Sequence, residues 1–209
     1  MHDNVSLVDR EHSVSPYNLP NALTVIRLLL VPVFIWLMVS ELPGARWWAV
    51  LVFMIAASTD QLDGHIARSR NLVTDFGKLV DPIADKALTL GAFVMLTVVG
   101  LLPWWVTALI AFRELGITWL RAILLKRGIV VAANKGGKLK TVLQMLAIWV
   151  LLIPWTTIEF GGEWSGLFAQ GMLVFGWTVA GLALLVTLWS GWVYVAEGMR
   201  LTKDAKTQS

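Results

Sequence analysis

Four aspartates lie close together in a chain that is otherwise strongly apolar. Asp60 and Asp63 are three residues apart, and Asp81 and Asp85 are four apart. If each pair lies on a helix, both of its carboxylates project from one helix face. Carboxylates are costly in lipid and usually serve a function there. The spacing therefore predicts that the four carboxylates converge on one functional site.

Four converging carboxylates repel one another unless cations bind between them or protons are shared. The chain has no cysteine, and ligation by oxygen alone favours Mg²⁺ or Mn²⁺ over zinc or copper. Two such ions would polarise a phosphoryl group and stabilise a leaving phosphate. The structural alternative is a set of salt bridges at a wet helix end, in which the aspartates pair with Arg68, Lys78 and Lys86.

The elements that hold these residues are predicted to be membrane helices. The composition is 57% hydrophobic with twelve tryptophans in 209 residues, which is typical of a polytopic membrane protein. No window alternates like a strand of an outer-membrane barrel, so helices must carry the fold. We expect an all-α integral membrane protein with six transmembrane helices in one bundle. The predicted spans are approximately 22–40, 45–66, 78–101, 103–126, 138–158 and 166–196.

Basic residues mark one side of the predicted membrane, because they follow the second, fourth and sixth spans. The positive-inside rule then places both termini and the aspartates on the cytoplasmic side of the cell membrane. The first twenty residues lack the apolar core of a signal peptide, so the first span is expected to be retained. We therefore divide the chain into a cytoplasmic segment 1–20, a catalytic domain 21–199 and a solvated, partly disordered tail 200–209. Tryptophans at the opposite ends of the spans are predicted to anchor the bundle at the headgroup boundary: Trp47, Trp48, Trp104, Trp105, Trp155 and Trp164.

The aspartates belong to a longer pattern. The residues Asp60-x-x-Asp63-Gly64-x-x-Ala67-Arg68, then Gly77, Asp81 and Asp85 at fixed spacing, resemble the complete signature of the CDP-alcohol phosphotransferase family. The resemblance implies that the four aspartates ligate two divalent ions, Mg²⁺ or Mn²⁺. It also implies that Asp85 is the general base, which takes the proton of an acceptor hydroxyl as CMP leaves the lipid donor.

The same resemblance assigns residues to the donor CDP-diacylglycerol. Gly64, Arg68 and Thr74 would contact its cytidine diphosphate, although Gly64 is equally suited to close helix packing. The stretch Asn21-x-Leu-Thr24-x-x-Arg27 resembles the amino-terminal element of the family, which implies contact with the nucleotide end of the donor. The alternative for this stretch is a helix cap followed by an arginine that extends to the membrane surface.

Cations near the predicted site suggest an anionic acceptor. The segments 113–121, 137–144 and 81–86 resemble the phosphatidylglycerophosphate synthase branch of the family. The resemblance implies that the acceptor is glycerol 3-phosphate and that its phosphate is held by Arg113, Arg121, Lys138 and Lys135. The alternative roles are attraction of the lysines to anionic lipid and pairing of Arg113 with Glu114.

Two other hypotheses about the function remain open. The same chemistry could use inositol phosphate or phosphatidylglycerol as the acceptor. From another class, membrane-embedded aspartates also line the pathways of transporters for divalent metals or protons, although such sites usually lie near the bilayer midplane. Family resemblance further implies a homodimer, and we expect no nucleic-acid partner.

Overall fold

The protein is described by a computed structural model that covers residues 19–69, 75–131, 135–158 and 164–207. Side chains are described within 21–59, 80–131, 136–158 and 164–203. These ranges contain six α-helices and one 3₁₀ turn and no strand, so the all-α prediction is confirmed for them. The helices are α1 Leu19–Val39, α2 Ala45–Ser69, α3 Asp75–Val98, α4 Trp104–Lys126, α5 Lys135–Leu152 and α6 Trp164–Thr207, with the 3₁₀ turn at Trp155–Thr157.

Glycines end two of these helices. Gly100 follows α3 and Gly128 follows α4, with φ angles of +77° and +73° that a side chain would strain. After α4, the Ile129 N–H donates to the Leu124 carbonyl at 2.9 Å and the Gly128 N–H donates to the Leu125 carbonyl at 3.0 Å. This Schellman arrangement satisfies carbonyls that the end of the helix leaves open. Both helices therefore stop within a few residues of the position that the sequence predicts.

The last helix differs most from the prediction. The 44 residues of α6 extend about 66 Å, roughly twice the 30 Å of a bilayer core. Residues 200–207 continue this helix, and the partial disorder of the tail stays a prediction. A methyl group on Gly198 would lie 3.0 Å from Leu124 Cδ1, which shows that α6 still packs on the end of α4 there.

The core joins the helices in two groups: α1 packs against α2 and α3, and α6 packs against α5 and α4. The Phe53 ring connects the groups, since its centroid lies 5.7 Å from that of Phe34 on α1 and 6.0 Å from that of Trp149 on α5. Ala49 and Ala56 are fully buried and let α1 approach α2 closely. Most of the remaining large apolar side chains face outward, as expected of helices surrounded by lipid.

Three helical segments of the described chain are long and apolar enough to cross a membrane: Asn21–Val39, Gly136–Thr157 and Trp164–Lys203. A shorter apolar stretch lies at Ala45–Thr59. Several apolar helices thus suit a multi-pass membrane protein, whereas the crossing of all six helices stays a prediction.

Five of the six tryptophans that we predict as anchors are exposed, namely Trp47, Trp48, Trp104, Trp105 and Trp164. Trp155 is instead packed, since its ring makes an edge contact with Phe168 and its Nε1 donates to the Val150 carbonyl at 2.6 Å. These tryptophans lie at the amino-terminal ends of α2, α4 and α6 or after the end of α5. The aspartates lie at the other ends of α2 and α3, so the polar site is separated from the tryptophan-rich end of the bundle.

Candidate functional site

A buried polar stripe runs along the first turns of α1. Asn21, Thr24 and Arg27 are spaced three residues apart, which places them on one helix face. Their exposed fractions are only 5%, 1% and 0%. We call these three residues the α1 stripe. Because Arg27 is fully buried, it does not extend to the membrane surface, which argues against the structural alternative for this segment.

The α1 stripe contacts the aspartate motif directly. Thr24 Oγ1 donates a hydrogen bond to Asp81 Oδ1 at 2.5 Å, across 57 residues of sequence. Asp81 is half-buried, and Asp85, one turn later on α3, is exposed. The structure thus brings together two segments that the sequence resemblance had assigned separately, the amino-terminal element and the second aspartate pair.

The first aspartate pair lies in the last turns of α2, where the structure describes the backbone alone. The side chains of Asp60, Asp63 and Arg68 and the surroundings of Gly64 lie outside the described set, and Thr74 lies outside the described residues altogether. Among the described side chains, no three acidic or histidine residues form a metal-binding group. The convergence of all four aspartates therefore stays a prediction.

The described part of the aspartate motif has carboxylate oxygens that are suitable ligands for a hard divalent ion. Asp81 and Asp85 lie one turn apart on one face of α3, and carboxylate oxygens are the ligands that Mg²⁺ and Mn²⁺ prefer. Because α1 packs on both α2 and α3, it holds the helices of the two aspartate pairs in one group.

A second polar cluster is centred on Glu114 of α4. Its Oε1 atom accepts from Lys140 Nζ at 2.6 Å and from Arg113 Nη1 at 3.3 Å, and Gln144 Nε2 lies 3.5 Å away. The side chains of Glu114, Lys140 and Arg113 are only 12–13% exposed. One carboxylate therefore holds two largely buried cations that come from α4 and α5.

The same cluster extends to α6 through Arg113. Arg113 Nε donates to the Thr187 carbonyl at 2.9 Å, and Nη2 donates to Ser190 Oγ at 2.7 Å. Gln144 Nε2 donates to Thr187 Oγ1 at 3.1 Å, which joins α5 to the same turn of α6. We call this set the Glu114 network; its members are Arg113, Glu114, Lys140, Gln144, Thr187 and Ser190. Its hydrogen bonds hold α4, α5 and α6 together near the middle of α4.

The predicted phosphate ligands differ in their placement. Arg113 is bound to α6 and Glu114. Arg121 is exposed, with its guanidinium carbon 5.5 Å from the centre of the Tyr194 ring and its Nε 3.4 Å from the Tyr194 hydroxyl. Lys138 is exposed on α5, and Lys135 begins α5 with a side chain that the structure does not describe. Arg113 is thus held inside the bundle, whereas Arg121 and Lys138 are exposed.

A small cavity of about 40 Å³ lies between α3, α4 and α5. Asp85 forms one wall, and Glu114 and Lys140 form another, with Thr141 and Gln144 beside them. The sequence analysis did not assign Glu114, Lys140 or Gln144 to the site. The available signal was weak: Lys140 and Gln144 are four residues apart and form a polar face on an otherwise apolar helix.

Comparison with known proteins identifies the family of the chain. Residues 17–194 match the family described as CDP-alcohol phosphatidyltransferase. The chain belongs to the CDP-alcohol phosphatidyltransferase family. It is therefore an enzyme of the phosphatidyltransferase class, and the matched range contains both the α1 stripe and the Glu114 network.

Several relatives align with most of this chain. A probable phosphatidylglycerophosphate synthase of Mycobacterium tuberculosis is 41% identical over 88% of this chain and 82% of its own. A CDP-diacylglycerol–glycerol-3-phosphate 3-phosphatidyltransferase of Bacillus subtilis is 36% identical over 90% of this chain and 99% of its own. A CMP-forming cardiolipin synthase of Streptomyces coelicolor is 34% identical over 88% of this chain and 84% of its own. The relatives thus include enzymes named for two different products, phosphatidylglycerophosphate and cardiolipin.

Proposed function

We propose that the protein transfers the phosphatidyl group of CDP-diacylglycerol to glycerol 3-phosphate and releases phosphatidylglycerol phosphate and CMP. The observation that carries this proposal is the cavity that Asp85 and Lys140, a largely buried cation of the Glu114 network, both line. A carboxylate beside a cationic pocket suits an acceptor that has both a hydroxyl and a phosphate. The names of the mycobacterial and Bacillus relatives support the same acceptor.

In this proposal, the α1 stripe binds the nucleotide end of CDP-diacylglycerol, together with Gly64, Arg68 and Thr74. The hydrogen bond from Thr24 to Asp81 supports the assignment, because it joins the donor-binding face of α1 to the aspartates that would meet the diphosphate. A buried Arg27 adds a positive charge where the diphosphate brings negative charge.

Asp60, Asp63, Asp81 and Asp85 would hold two Mg²⁺ or Mn²⁺ ions. When bound, such ions polarise the phosphoryl group and stabilise the charge of the leaving CMP. Asp85 also accepts the proton of the acceptor hydroxyl. The hydroxyl oxygen then forms a bond to the lipid-linked phosphorus, and the bond from that phosphorus to the oxygen of CMP breaks. No covalent intermediate with the enzyme is required.

Arg113, Arg121, Lys135 and Lys138 would supply positive charge for the phosphate of the acceptor. Their location at the same end of the bundle as Asp85 supports this role. Exposed Arg121 and Lys138 can meet an acceptor that arrives from water, whereas Arg113 supplies charge from within the Glu114 network. The charge would guide an anionic acceptor toward the cavity.

For the setting of the enzyme, we propose that all six helices cross the inner or plasma membrane and that the protein forms a homodimer. Residues 1–20, residues 200–209 and the site would face the cytoplasm. The basic residues near the carboxyl-terminal ends of α2, α4 and α6 support this orientation, since cytoplasmic segments carry an excess of lysine and arginine.

The test supplies purified protein with CDP-diacylglycerol, Mg²⁺ and one acceptor at a time, and measures CMP release. We expect glycerol 3-phosphate to be the preferred acceptor and chelation to stop turnover. Preference for inositol phosphate would reassign the acceptor. Metal or proton flux without release of CMP would instead indicate a transporter.

A second candidate is the same chemistry with phosphatidylglycerol as the acceptor, which would make cardiolipin. The observation that favours it is the similarity to the Streptomyces enzyme named as a cardiolipin synthase. The buried cations favour glycerol 3-phosphate, because its terminal phosphate carries more charge than the phosphodiester of phosphatidylglycerol. Preferential CMP release with phosphatidylglycerol would decide for the second candidate.

A further inference from the structure

The charges of the Glu114 network do not balance among themselves. Arg113 and Lys140 each carry a positive charge, and both are held by the single carboxylate of Glu114. All three side chains are largely buried, and a buried charge without compensation is costly. The network therefore has one positive charge more than its own carboxylate neutralises. Across the cavity, the charge of Asp85 is directed to divalent ions in the proposed function, so an anionic ligand would balance the surplus.

Of the two cations, Arg113 has little freedom to meet a ligand. Its Nε and Nη2 atoms donate to α6, and its Nη1 atom donates to Glu114. Gly191 of α6 lies against it, since a methyl group there would be 3.0 Å from Arg113 Nε. Movement of this guanidinium would break its hydrogen bonds to α6.

Lys140 differs because its ammonium has three N–H groups and the structure directs one of them to Glu114. Lys140 also lines the cavity that contains Asp85, whereas Arg113 does not. The ammonium is thus held at the cavity with donors left for a ligand. The 2.6 Å contact with Glu114 determines where that positive charge lies.

We propose that Glu114 is a positioning residue that holds Lys140 across the cavity from Asp85, and that Lys140 contacts the phosphate of the acceptor. This inference rests on the proposed function and deepens it, because it names a contact that the family resemblance did not assign. It predicts that Glu114 affects the acceptor and leaves the lipid donor unaffected. A purely structural Glu114, bridging α4 and α5, would instead affect folding and both substrates together.

The experiment measures KM for each substrate in Glu114→Gln, Lys140→Met and Lys140→Arg. Glu114→Gln keeps the shape of the side chain and removes its charge. We expect the KM for glycerol 3-phosphate to rise on the order of tenfold to a hundredfold in Glu114→Gln and Lys140→Met, as expected when a charge-assisted contact is lost. The KM for CDP-diacylglycerol should stay within about twofold of the unaltered enzyme, and Lys140→Arg should recover part of the acceptor affinity.

Coupling between the two residues provides a second readout. If Glu114 acts through Lys140, the double variant Glu114→Gln/Lys140→Met should be no worse than Lys140→Met alone. Glu197→Gln and Lys126→Met are matched controls, because both side chains are exposed and lie outside the network. Both controls should keep the KM values of the unaltered enzyme.

An unchanged acceptor KM in Lys140→Met overturns the proposal, and so do additive effects in the double variant. If Glu114→Gln does not fold, the two lysine variants still decide the outcome. Failure of the proposed function looks different, since the unaltered enzyme would then release CMP with another acceptor in preference to glycerol 3-phosphate.

Discussion

The α1 stripe and the Glu114 network are both buried and polar, but they are built in different ways. The α1 stripe comes from about two turns of one helix and contacts α3 through the hydrogen bond from Thr24 to Asp81. The Glu114 network draws its members from α4, α5 and α6 and connects them through several hydrogen bonds. The α1 stripe can thus be predicted from the local spacing of residues, whereas the Glu114 network forms only through helix packing. Both clusters belong to one bundle.

The comparison shows that a sequence motif can mark one polar cluster and leave another unmarked. The α1 stripe and the aspartates have fixed spacings along the chain, so their chemistry is visible in the sequence. The Glu114 network has no such spacing between its helices, and a polar residue buried in a helix bundle can serve packing alone. If the proposals are right, the two clusters act on different substrates and variants of each should separate donor effects from acceptor effects.

The largest effect is expected at Asp85, which lines the cavity with Glu114 and lies one turn from Asp81, the partner of Thr24. Asp85→Asn removes the proposed base and one metal ligand together, so we expect kcat to fall by about a thousandfold or more. CMP release from CDP-diacylglycerol at saturating glycerol 3-phosphate measures the change. Glu197→Gln serves as a control for the loss of a carboxylate elsewhere. If the activity of Asp85→Asn stays within tenfold of the unaltered enzyme, Asp85 is neither the base nor an essential metal ligand.

A smaller effect is expected for the α1 stripe alone. Thr24→Val keeps the shape of the side chain but removes the hydrogen bond to Asp81. The loss of one hydrogen bond to a charged group predicts a fall in kcat/KM for CDP-diacylglycerol of roughly ten- to a hundredfold, with the KM for glycerol 3-phosphate unchanged.

Thr24→Ser retains the hydroxyl and should recover most of the activity. A rise in the KM of the acceptor in place of the donor would contradict the assignment of α1 to the nucleotide. This result tests the comparison of the two clusters, because Glu114→Gln is expected to raise the KM for glycerol 3-phosphate and leave the KM for CDP-diacylglycerol unchanged.

The smallest effect is expected from a methyl group beside the Glu114 network. Gly191→Ala would place a carbon 3.0 Å from Arg113 Nε and 3.1 Å from Arg113 Cγ, so the arginine must shift by a few tenths of an ångström. We expect a loss of about 1 kcal/mol in stability, measured as a lower thermal unfolding midpoint in detergent.

Gly181→Ala is the matched control on the same helix, because nothing lies within 4 Å of the added carbon. It should leave the midpoint unchanged or raise it, since alanine favours helix more than glycine does. Equal midpoints for the two variants would indicate that Arg113 is not held tightly against α6.

The spacing of polar residues predicted some contacts and missed others. The three-residue spacing of Asn21, Thr24 and Arg27 marked one face of α1, and the structure buries that face. The predicted span 103–126 ends at the residue where α4 ends, and Gly128 then takes the positive φ that terminates the helix. Lys140 could not be selected from the neighbouring lysines, since its burial depends on the rotation of α5 against α4. The persistence of α6 beyond Arg200 depends on packing against α4 near Gly198, which no local pattern records.

The sequence by itself determined the class of the protein and the positions of its chemistry. Long apolar segments must be helical in lipid because every backbone polar group needs a partner within the chain, and the aspartate spacings place each pair on one helix face. The tertiary structure decided which cations face Asp85. Lys140 lines the cavity and Arg113 is tied to α6, because helix packing, not the distance along the chain, sets which side chains meet.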